Sequence, residues 1–252
     1  MIKEDEILKK RINELAVKSY NNSQFVFTDF LSPSEISLIL ENEQEIDFVP
    51  HCFYGGSEQC ERKILKFGSE EEFGYDEEFP IKCIMVEPLM KKFADNLNHR
   101  DFLGAIMNLG IDRSVIGDIF IRDKVGYVFC TDKIADYLMD NLDKIKHTNV
   151  KCKIVQNDTD ELKPELRDME LIVSSVRTDG IISKLYNLSR KQSIEYFSEH
   201  KVFINGRVTE SNSKTLKNGD IVSVRGHGKF IFNGIANETK KGRLKIYIKL
   251  YI

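Results

Sequence analysis

The most informative part of the sequence lies between Val176 and Arg225 and reads VRTDGIISKLYNLSRKQSIEYFSEHKVFINGRVTESNSKTLKNGDIVSVR. Its beginning has the pattern of a short amphipathic helix. The apolar residues recur at one-turn spacing, and they are Ile181, Ile182, Leu185 and Leu188. Residues at this spacing share one face of a helix, so we expect that face to be buried against the rest of the unit.

A second helix is predicted directly after the first. Ser189 is followed three residues later by Gln192, which is the spacing of a capping box. The serine oxygen then accepts one of the backbone N–H groups that a helix leaves without a partner at its start. The helix is expected to cover residues 190–199 and to bury Ile194 and Phe197.

Short strands follow the two helices. Asn205-Gly206 lies between two apolar runs and predicts a β-hairpin with a type I′ turn. Lys217–Asp220 predicts another turn, and Ile221–Val224 another strand. About fifty residues therefore predict two small helices packed against a short antiparallel sheet.

The charges of this stretch favour an anionic partner. Arg190 and Lys191 fall in the first helical turn, where the helix dipole disfavours cations by roughly 0.3–1 kcal/mol each. A phosphate at that end would reverse the cost, because free N–H groups and both side chains can hold it. A solvated basic face is the alternative interpretation for any one of these side chains.

Four spaced motifs in the stretch resemble the S4-type RNA-binding domain, which has the αL fold. They are Arg177-x-Asp179, Ser189-Arg190-x-Gln192, Lys201-Val202-x-Ile204-Asn205-Gly206 and Gly219-Asp220-x-Val222. Thr178 stands where the family usually has leucine, which predicts a looser first helix. His200 stands where the family usually has glycine, at a position expected to be left-handed.

The resemblance implies a set of residues that bind RNA. Phosphate contacts are expected from Arg177, Arg190, Lys191, Lys201 and Arg207, while Asp179 and Ser189 fix the helix geometry. The full set expected at the RNA-binding site is Arg177, Asp179, Lys184, Ser189, Arg190, Lys191, Gln192, Lys201, Asn205, Arg207, Arg225 and Lys229.

The formal net charge of −3 conceals a strong asymmetry along the 252 residues. From residue 177 onward there are 15 Lys/Arg and 6 Asp/Glu, a net charge of +9, whereas the preceding residues carry −12. A cationic end on an acidic body is typical of a polyanion-binding module attached to other domains. The length itself suggests two or three domains.

The composition favours a reduced, cytoplasmic protein. The charged start Met1–Glu6 lacks the apolar core of a secretory signal, and no apolar run approaches the roughly 20 residues of a membrane span. Five cysteines without a CxxC pair indicate free thiols. His51, Cys52 and Cys60 lack a paired fourth donor, so we expect no metal site, and nothing indicates a cofactor.

The first 78 residues predict a mixed α/β unit. A first helix ends near Ser19, and Ser32-Pro33-Ser34-Glu35 is a capping box that opens a second helix. Strands are expected at 48–54 and 62–67, around a turn at Gly55-Gly56. The acidic run Glu70–Glu78 marks the boundary to the next domain.

Residues 79–156 predict the order β-α-β-β-α-β of an RRM-like sandwich. One face of such a sheet meets the helices and the other is open. Alternation along the strands places Phe120 and Arg122 on one face, together with Tyr127 and Phe129. If that face is open, these residues form a platform for stacking RNA bases. The alternative is that the aromatic rings are core and the intervening residues face outward, and the sequence leaves both open.

A further set of motifs resembles the YlmH family. It comprises His99-Arg100-Asp101-x-Leu103-Gly104-Ala105, Leu109-Gly110-Ile111-x-Arg113, Gly117-Asp118-Ile119, Arg225-Gly226-x-Gly228-Lys229-Phe230 and Lys240-Lys241-Gly242-Arg243. The resemblance implies an N-terminal domain, an RRM-like domain and a C-terminal S4-type domain. It also implies binding to the large ribosomal subunit and to tRNA, a role in rescue of stalled nascent chains, and a link to cell division.

The sequence thus predicts an α+β, multidomain protein. Its parts are an N-terminal α/β unit at 1–78, the RRM-like βαββαβ sandwich at 79–156, a linker at 157–170, and the S4-type domain with a C-terminal β extension at 171–252. The strand expected at Leu244–Tyr251 alternates core residues with cations and tyrosines. The second of these faces suits either phosphates and bases or plain solvent.

The function expected is non-catalytic binding of structured rRNA or tRNA. The rival hypothesis is an RNA-modifying enzyme, of the pseudouridine synthase or methyltransferase type, that uses the S4-type domain for targeting. No nucleotide-binding glycine motif, zinc pair or nucleophile elbow supports the rival. A third hypothesis, compatible with RNA binding, is that the acidic N-terminal region recruits a protein partner.

Overall fold

The computed structural model describes residues 2–58, 60–156, 166–240 and 242–251, except for the side chains of Ile2 and Lys3. The chain divides into two compact units, residues 1–163 and residues 164–252. We call them the first unit and the C-terminal unit. Both contain helices and antiparallel sheets, so the α+β class is confirmed.

The N-terminal part of the first unit places helices around a small sheet. Its elements are α1 (Ile2–Asn22), β1 (Val26–Phe27), α2 (Pro33–Glu41), β2 (His51–Tyr54), β3 (Ile64–Phe67) and the short α3 (Glu70–Phe73), with strand order β1-β3-β2. The capping box of Ser32 and Glu35 opens α2 as predicted. The acidic run after residue 70 begins with α3, which Ser69 caps, rather than with an open loop.

The middle of the first unit has the predicted order β-α-β-β-α-β with one short strand added. Its elements are β4 (Ile81–Pro88), α4 (His99–Asn108), β5 (Ile116–Arg122), β6 (Val125–Thr131), α5 (Asp132–Asn141), β7 (Lys144–Ile145) and β8 (Thr148–Val155). The strands pair antiparallel in the order β5-β6-β4-β8-β7. The helices cover one face, where Phe102, Ile106 and Leu138 join Val128 and Cys130 in a core.

The opposite face of this sheet is covered by the N-terminal part. Phe30, Cys60 and Ile64 form a second core with Tyr127 and Phe129. Gly56 makes the approach possible: its φ is +98°, and a Cβ at this position would overlap the Phe129 ring. The predicted domains 1–78 and 79–156 therefore share a core and form one unit.

A partly buried polar network reinforces this contact. Arg62 donates to the carbonyl oxygens of Phe30 at 2.8 Å and Ile116 at 3.0 Å, and to that of Arg113 at 3.3 Å. The Asp118 carboxylate in turn accepts the Arg62 backbone N–H at 3.0 Å. Burial raises the pKa of Asp118 and lowers the pKa of Arg62, so both groups are partly withdrawn from water.

The C-terminal unit is a six-stranded antiparallel sheet with two helices. Its elements are β9 (Leu166–Val173), α6 (Thr178–Leu185), α7 (Arg190–Ser198), β10 (Val202–Ile204), β11 (Arg207–Val208), β12 (Ile221–Val224), β13 (Gly228–Glu238) and β14 (Leu244–Tyr251), in the order β11-β10-β12-β13-β14-β9. Ile181, Ile182 and Phe197 of the helices pack with Phe230 and Ile246 of the sheet.

The linker predicted at 157–170 needs correction at its end. Residues 166–170 belong to β9, which pairs with β14 from Leu166↔Tyr251 to Val173↔Leu244. The rest of the predicted linker, 157–165, lies outside the described residues. Alternating side chains in β9 face the core, where Leu171 and Val173 are buried, and this short pattern was not recognised in the sequence.

Two local expectations for the helices and turns are confirmed and one is wrong. Asn205 and Gly206 both have positive φ, 50° and 77°, as a type I′ turn requires, and His200 is left-handed at φ 53°. Ile194, however, is 37% exposed. The buried stripe of α7 consists of Ser193 and Phe197, four residues apart, and Ile194 points about 100° away from it.

Within the described residues, no helix combines the length and the hydropathy needed to cross a membrane.

Candidate RNA-binding site

The candidate site begins at the N-terminal end of α7. Ser189 and Gln192 form the predicted capping box: the Ser189 hydroxyl accepts the Gln192 N–H at 3.2 Å, and Gln192 Oε1 accepts the Ser189 N–H at 2.9 Å. These two residues therefore cap the start of α7 by hydrogen bonding to each other. Arg190 and Lys191 follow in the first turn and are exposed.

Asp179 anchors the cations next to this helix end. Its side chain is 4% exposed and receives a two-pronged contact from Arg177, with distances of 3.1 Å from Nε and 2.9 Å from Nη2. Burial alone would raise the pKa of Asp179. Hydrogen bonds from Arg177 and the Gly180 amide, with the charges of Arg177 and Arg190, outweigh burial and hold the pKa below its usual value. The carboxylate thus stays ionised and keeps Arg177 in place.

Thr178 fits its position better than the sequence predicted. It is fully buried, and its hydroxyl donates to the carbonyl oxygen of Lys214 at 2.6 Å, while its N–H donates to the same oxygen at 3.0 Å. The expected loosening of α6 is therefore wrong. The threonine hydroxyl bonds to the segment before β12, a contact between distant parts of the chain that no local sequence pattern indicates.

The remaining cations of the predicted site differ in their surroundings. Lys184 is exposed, and Lys201 pairs with Glu199 at 2.7 Å. Arg225 is exposed and lies over the Phe203 ring, 4.8 Å from its centroid. Lys229 lies 4.3 Å from the centroid of the Tyr251 ring. Arg207 is half-buried.

Lys201 and Arg225 are brought together across β10 and β12, where the Arg225 N–H donates to the Lys201 carbonyl at 2.9 Å. Beside them lies a group of rings that the sequence did not single out. His227 contacts the Tyr196 hydroxyl at 2.7 Å, and its ring lies 5.0 Å from those of Tyr186 and Tyr196. Because these residues come from the end of α6, from α7 and from the β12–β13 turn, no local pattern could have grouped them.

Asn205 has a structural role in the fold. Its amide donates to Asp220 at 2.9 Å and its Oδ1 accepts the Ile221 N–H at 2.9 Å. These bonds tie the β10–β11 turn to the start of β12. Its place among the residues that contact RNA stays a prediction, whereas its contribution to the hairpin is visible.

The predicted stacking platform of the middle sheet is contradicted. Phe129 is fully buried and Tyr127 is 4% exposed, because the N-terminal part of the first unit covers them. Phe120 packs edge-on against Phe129 with centroids 6.0 Å apart, and Arg122 is half-buried. The alternative of an outward-facing Ile119 and Val128 is also wrong, since these residues form the core under the helices.

Among the described residues of the first unit, one group of side chains could hold a metal ion. Glu43, Asp47 and His51 place their donor atoms within 4.8 Å of one another, and His51 Nδ1 lies 3.0 Å from the carbonyl of Val49. Both carboxylates are exposed, and exposed acidic groups often lie close together without an ion. We assign no metal to this group.

Comparison with known proteins shows what this chain is similar to. A family model described as "Putative RNA-binding domain in YlmH" matches residues 75–159. The chain is also 27% identical over 225 residues to the "Ribosome-associated protein quality control protein P2" of Bacillus subtilis (strain 168), which covers 87% of this chain and 84% of that protein. These matches support the resemblance to the YlmH family that the sequence motifs indicate. The solved structure titled "Cell division protein ylmH from Streptococcus pneumoniae" is 21% identical with a TM-score of 0.48, and the similarity covers 60% of this chain and 91% of that one.

Several residues that carry the resemblance to the YlmH family have structural roles in the first unit. Arg113 and Asp118, which the sequence comparison singled out, belong to the buried network beneath the middle sheet. His99 and Asp101 lie in the first turn of α4, where Asp101 accepts the Asn98 N–H at 2.9 Å and pairs with Lys146 at 2.7 Å. These motif residues form contacts within the first unit, whereas the cations expected to contact RNA lie in the C-terminal unit.

Proposed function

We propose that residues 171–252 are an S4-type RNA-binding domain, and that the protein uses it to bind structured rRNA or tRNA on the large ribosomal subunit. The role would be non-catalytic and belong to ribosome-associated quality control in the cytoplasm. In this proposal residues 79–156 are an RRM-like unit whose sheet is occupied by the N-terminal part.

The main support for the proposal is the pair of exposed cations in the first turn of α7. Arg190 and Lys191 sit where free backbone N–H groups favour an anion, yet Arg190 forms no ion pair with a described residue. Arg177, held by Asp179, adds a third cation near the same end. A phosphate would satisfy the N–H groups and the side chains together.

Two further facts support the ribosomal setting. The relative in Bacillus subtilis is named for ribosome-associated quality control, and the family model describes RNA binding. The net charge of +9 from residue 177 onward gives long-range attraction to RNA, whose phosphates dominate affinity. Shape and phosphate contacts, rather than base reading, are what such a surface can recognise.

The test is binding to purified large subunits and to tRNA over a range of salt concentrations. Replacing Arg190 and Lys191 together by alanine is expected to weaken binding and to reduce the log–log salt slope by about two units, because two phosphate contacts are lost. A matched control is the double variant Lys10→Ala with Lys18→Ala, which removes the same charge from an exposed face of α1. Unchanged affinity and slope in the Arg190/Lys191 variant would remove these residues from the site.

A further inference from the structure

The loop between β4 and α4 exposes three large apolar side chains within five residues. Leu89 is 59% exposed, Met90 66% and Phe93 74%, and Phe93 is the most exposed large apolar residue of the described chain. We call residues 89–93 the 89–93 loop. Leaving such side chains in water forgoes roughly 1.5–3 kcal/mol for each one that could be buried.

This exposure does not result from a lack of local structure. The Leu89 N–H donates to the carbonyl of Asn149 at 2.9 Å, and Lys124 Nζ donates to the carbonyl of Ala94 at 2.8 Å. Just beyond the loop, the Asp95 N–H donates to the Thr148 hydroxyl at 2.9 Å. Both ends of the loop are therefore fixed to the sheet, and the apolar side chains are displayed on a pre-organised support.

The positive charges of the 89–93 loop favour an anionic partner. Lys91 and Lys92 are exposed and form no ion pair with a described residue, and Lys92 Nζ lies 5.8 Å from the centroid of the Phe93 ring. The carboxylate of Asp95 is turned toward the His147 N–H and the Thr148 hydroxyl, at 3.2 and 3.1 Å. The tip of the loop thus combines an accessible aromatic ring with two ammonium groups.

We propose that the 89–93 loop binds unpaired RNA, with a base stacked on Phe93 and the neighbouring phosphates held by Lys91 and Lys92. A ring and adjacent cations are the combination that recognises single-stranded nucleic acid. The loop lies within residues 75–159, the span of the YlmH RNA-binding model, and the sheet face of that domain is covered. The inference rests on the proposed RNA-binding function but uses a different surface of the chain.

A tryptophan at position 93 tests the contact directly. The chain contains no tryptophan, so Phe93→Trp gives the full-length protein a single fluorescent reporter at the loop. Titration with a 12-nucleotide single-stranded RNA is expected to quench this reporter saturably, because a stacked base quenches indole fluorescence. The matched control is Tyr137→Trp on α5, which is also exposed and is expected to stay unquenched.

Affinity measurements separate this inference from the proposed function. Phe93→Ala is expected to weaken binding of the single-stranded RNA by about 10-fold, since a stacked base contributes ~1–3 kcal/mol. The Arg190/Lys191 variant should retain quenching at position 93 when measured at low salt. Quenching that persists while the Arg190/Lys191 variant binds large subunits normally would support the loop and count against the proposed function.

Three results would overturn the inference about the loop. The first is no change in fluorescence with single-stranded RNA while binding of large subunits still depends on Arg190 and Lys191. The second is equal quenching by the same RNA in double-stranded form, which offers no unpaired base. The third is a blue shift with vesicles of anionic phospholipid and none of the expected quenching with RNA, which would assign the loop to a lipid surface.

Discussion

Asp179 shows how a single buried carboxylate can organise an exposed cationic surface. It holds Arg177 by two hydrogen bonds and lies close enough to Arg190 for that charge to lower its pKa. A group whose pKa is lowered by folding adds stability above its ordinary pKa of 3.8, and that stability is lost as the pH falls through the folded value. The acid sensitivity of the C-terminal unit should therefore depend on this residue.

Asp179→Asn is expected to lower the free energy of unfolding at pH 7 by about 2 kcal/mol, because a charged hydrogen-bond acceptor is lost. The difference from the parent protein should shrink as the pH is lowered below 3.8. Urea unfolding followed by circular dichroism at several pH values measures both effects. Glu195→Gln on the exposed side of α7 serves as a control with little effect. A difference that stays constant with pH would contradict the role of the charge.

Helix α4 contains a glycine that its own fold does not require. Gly104 lies inside the helix and is exposed, and a Cβ there would meet nothing within 4 Å. Glycine inside a helix costs about 1 kcal/mol relative to alanine. Gly104→Ala should therefore raise the free energy of unfolding by about that amount, measured by thermal or urea unfolding of the full chain.

Gly126 in β6 is the matching control, because there a Cβ would overlap the Phe102 ring in the core. Gly126→Ala should destabilise the protein by about 1–3 kcal/mol through overpacking. If Gly104→Ala also lowers stability, the helix backbone at that position is not free to accept a side chain, and the explanation fails.

Helix caps and turns were predictable because they depend on residues that are close in sequence. The capping boxes at Ser32 and Ser189 and the turn at Asn205-Gly206 depend on residues within four positions of one another, and all three are confirmed. Ile194 was misplaced because a nine-residue helix offers too few apolar positions to fix its buried stripe. Strand β9 was missed because its pairing partner, β14, lies about eighty residues further along the chain.

At the scale of the whole molecule, the first unit depends on one arginine. Arg62→Met would remove the guanidinium that donates to the carbonyl oxygens of Phe30 and Ile116. The Asp118 carboxylate would lose its positive neighbour at the same time. We expect this variant to destabilise the first unit by about 3 kcal/mol, as for other broken buried polar contacts. Differential scanning calorimetry should show the loss, while binding of RNA through the C-terminal unit persists below the transition.

Arg100→Met is the control, because Arg100 is exposed on α4 and forms no ion pair with a described residue. An equal loss of stability in both variants would show that arginine content, rather than the buried network, is responsible. The covered sheet was beyond sequence reasoning for the same reason as this network. Its members lie at positions 30, 62, 113 and 118, and alternation along a strand shows which residues share a face but not what lies against that face.

The pairing of Leu166 with Tyr251 has a practical consequence. The first residue of β9 and the last residue of β14 therefore lie next to each other at one end of the sheet. A domain whose two ends lie next to each other can be inserted into a surface loop of another protein through two short linkers. Neither fold then has to be distorted. In such a fusion, the C-terminal unit should keep its exposed cations at the start of α7.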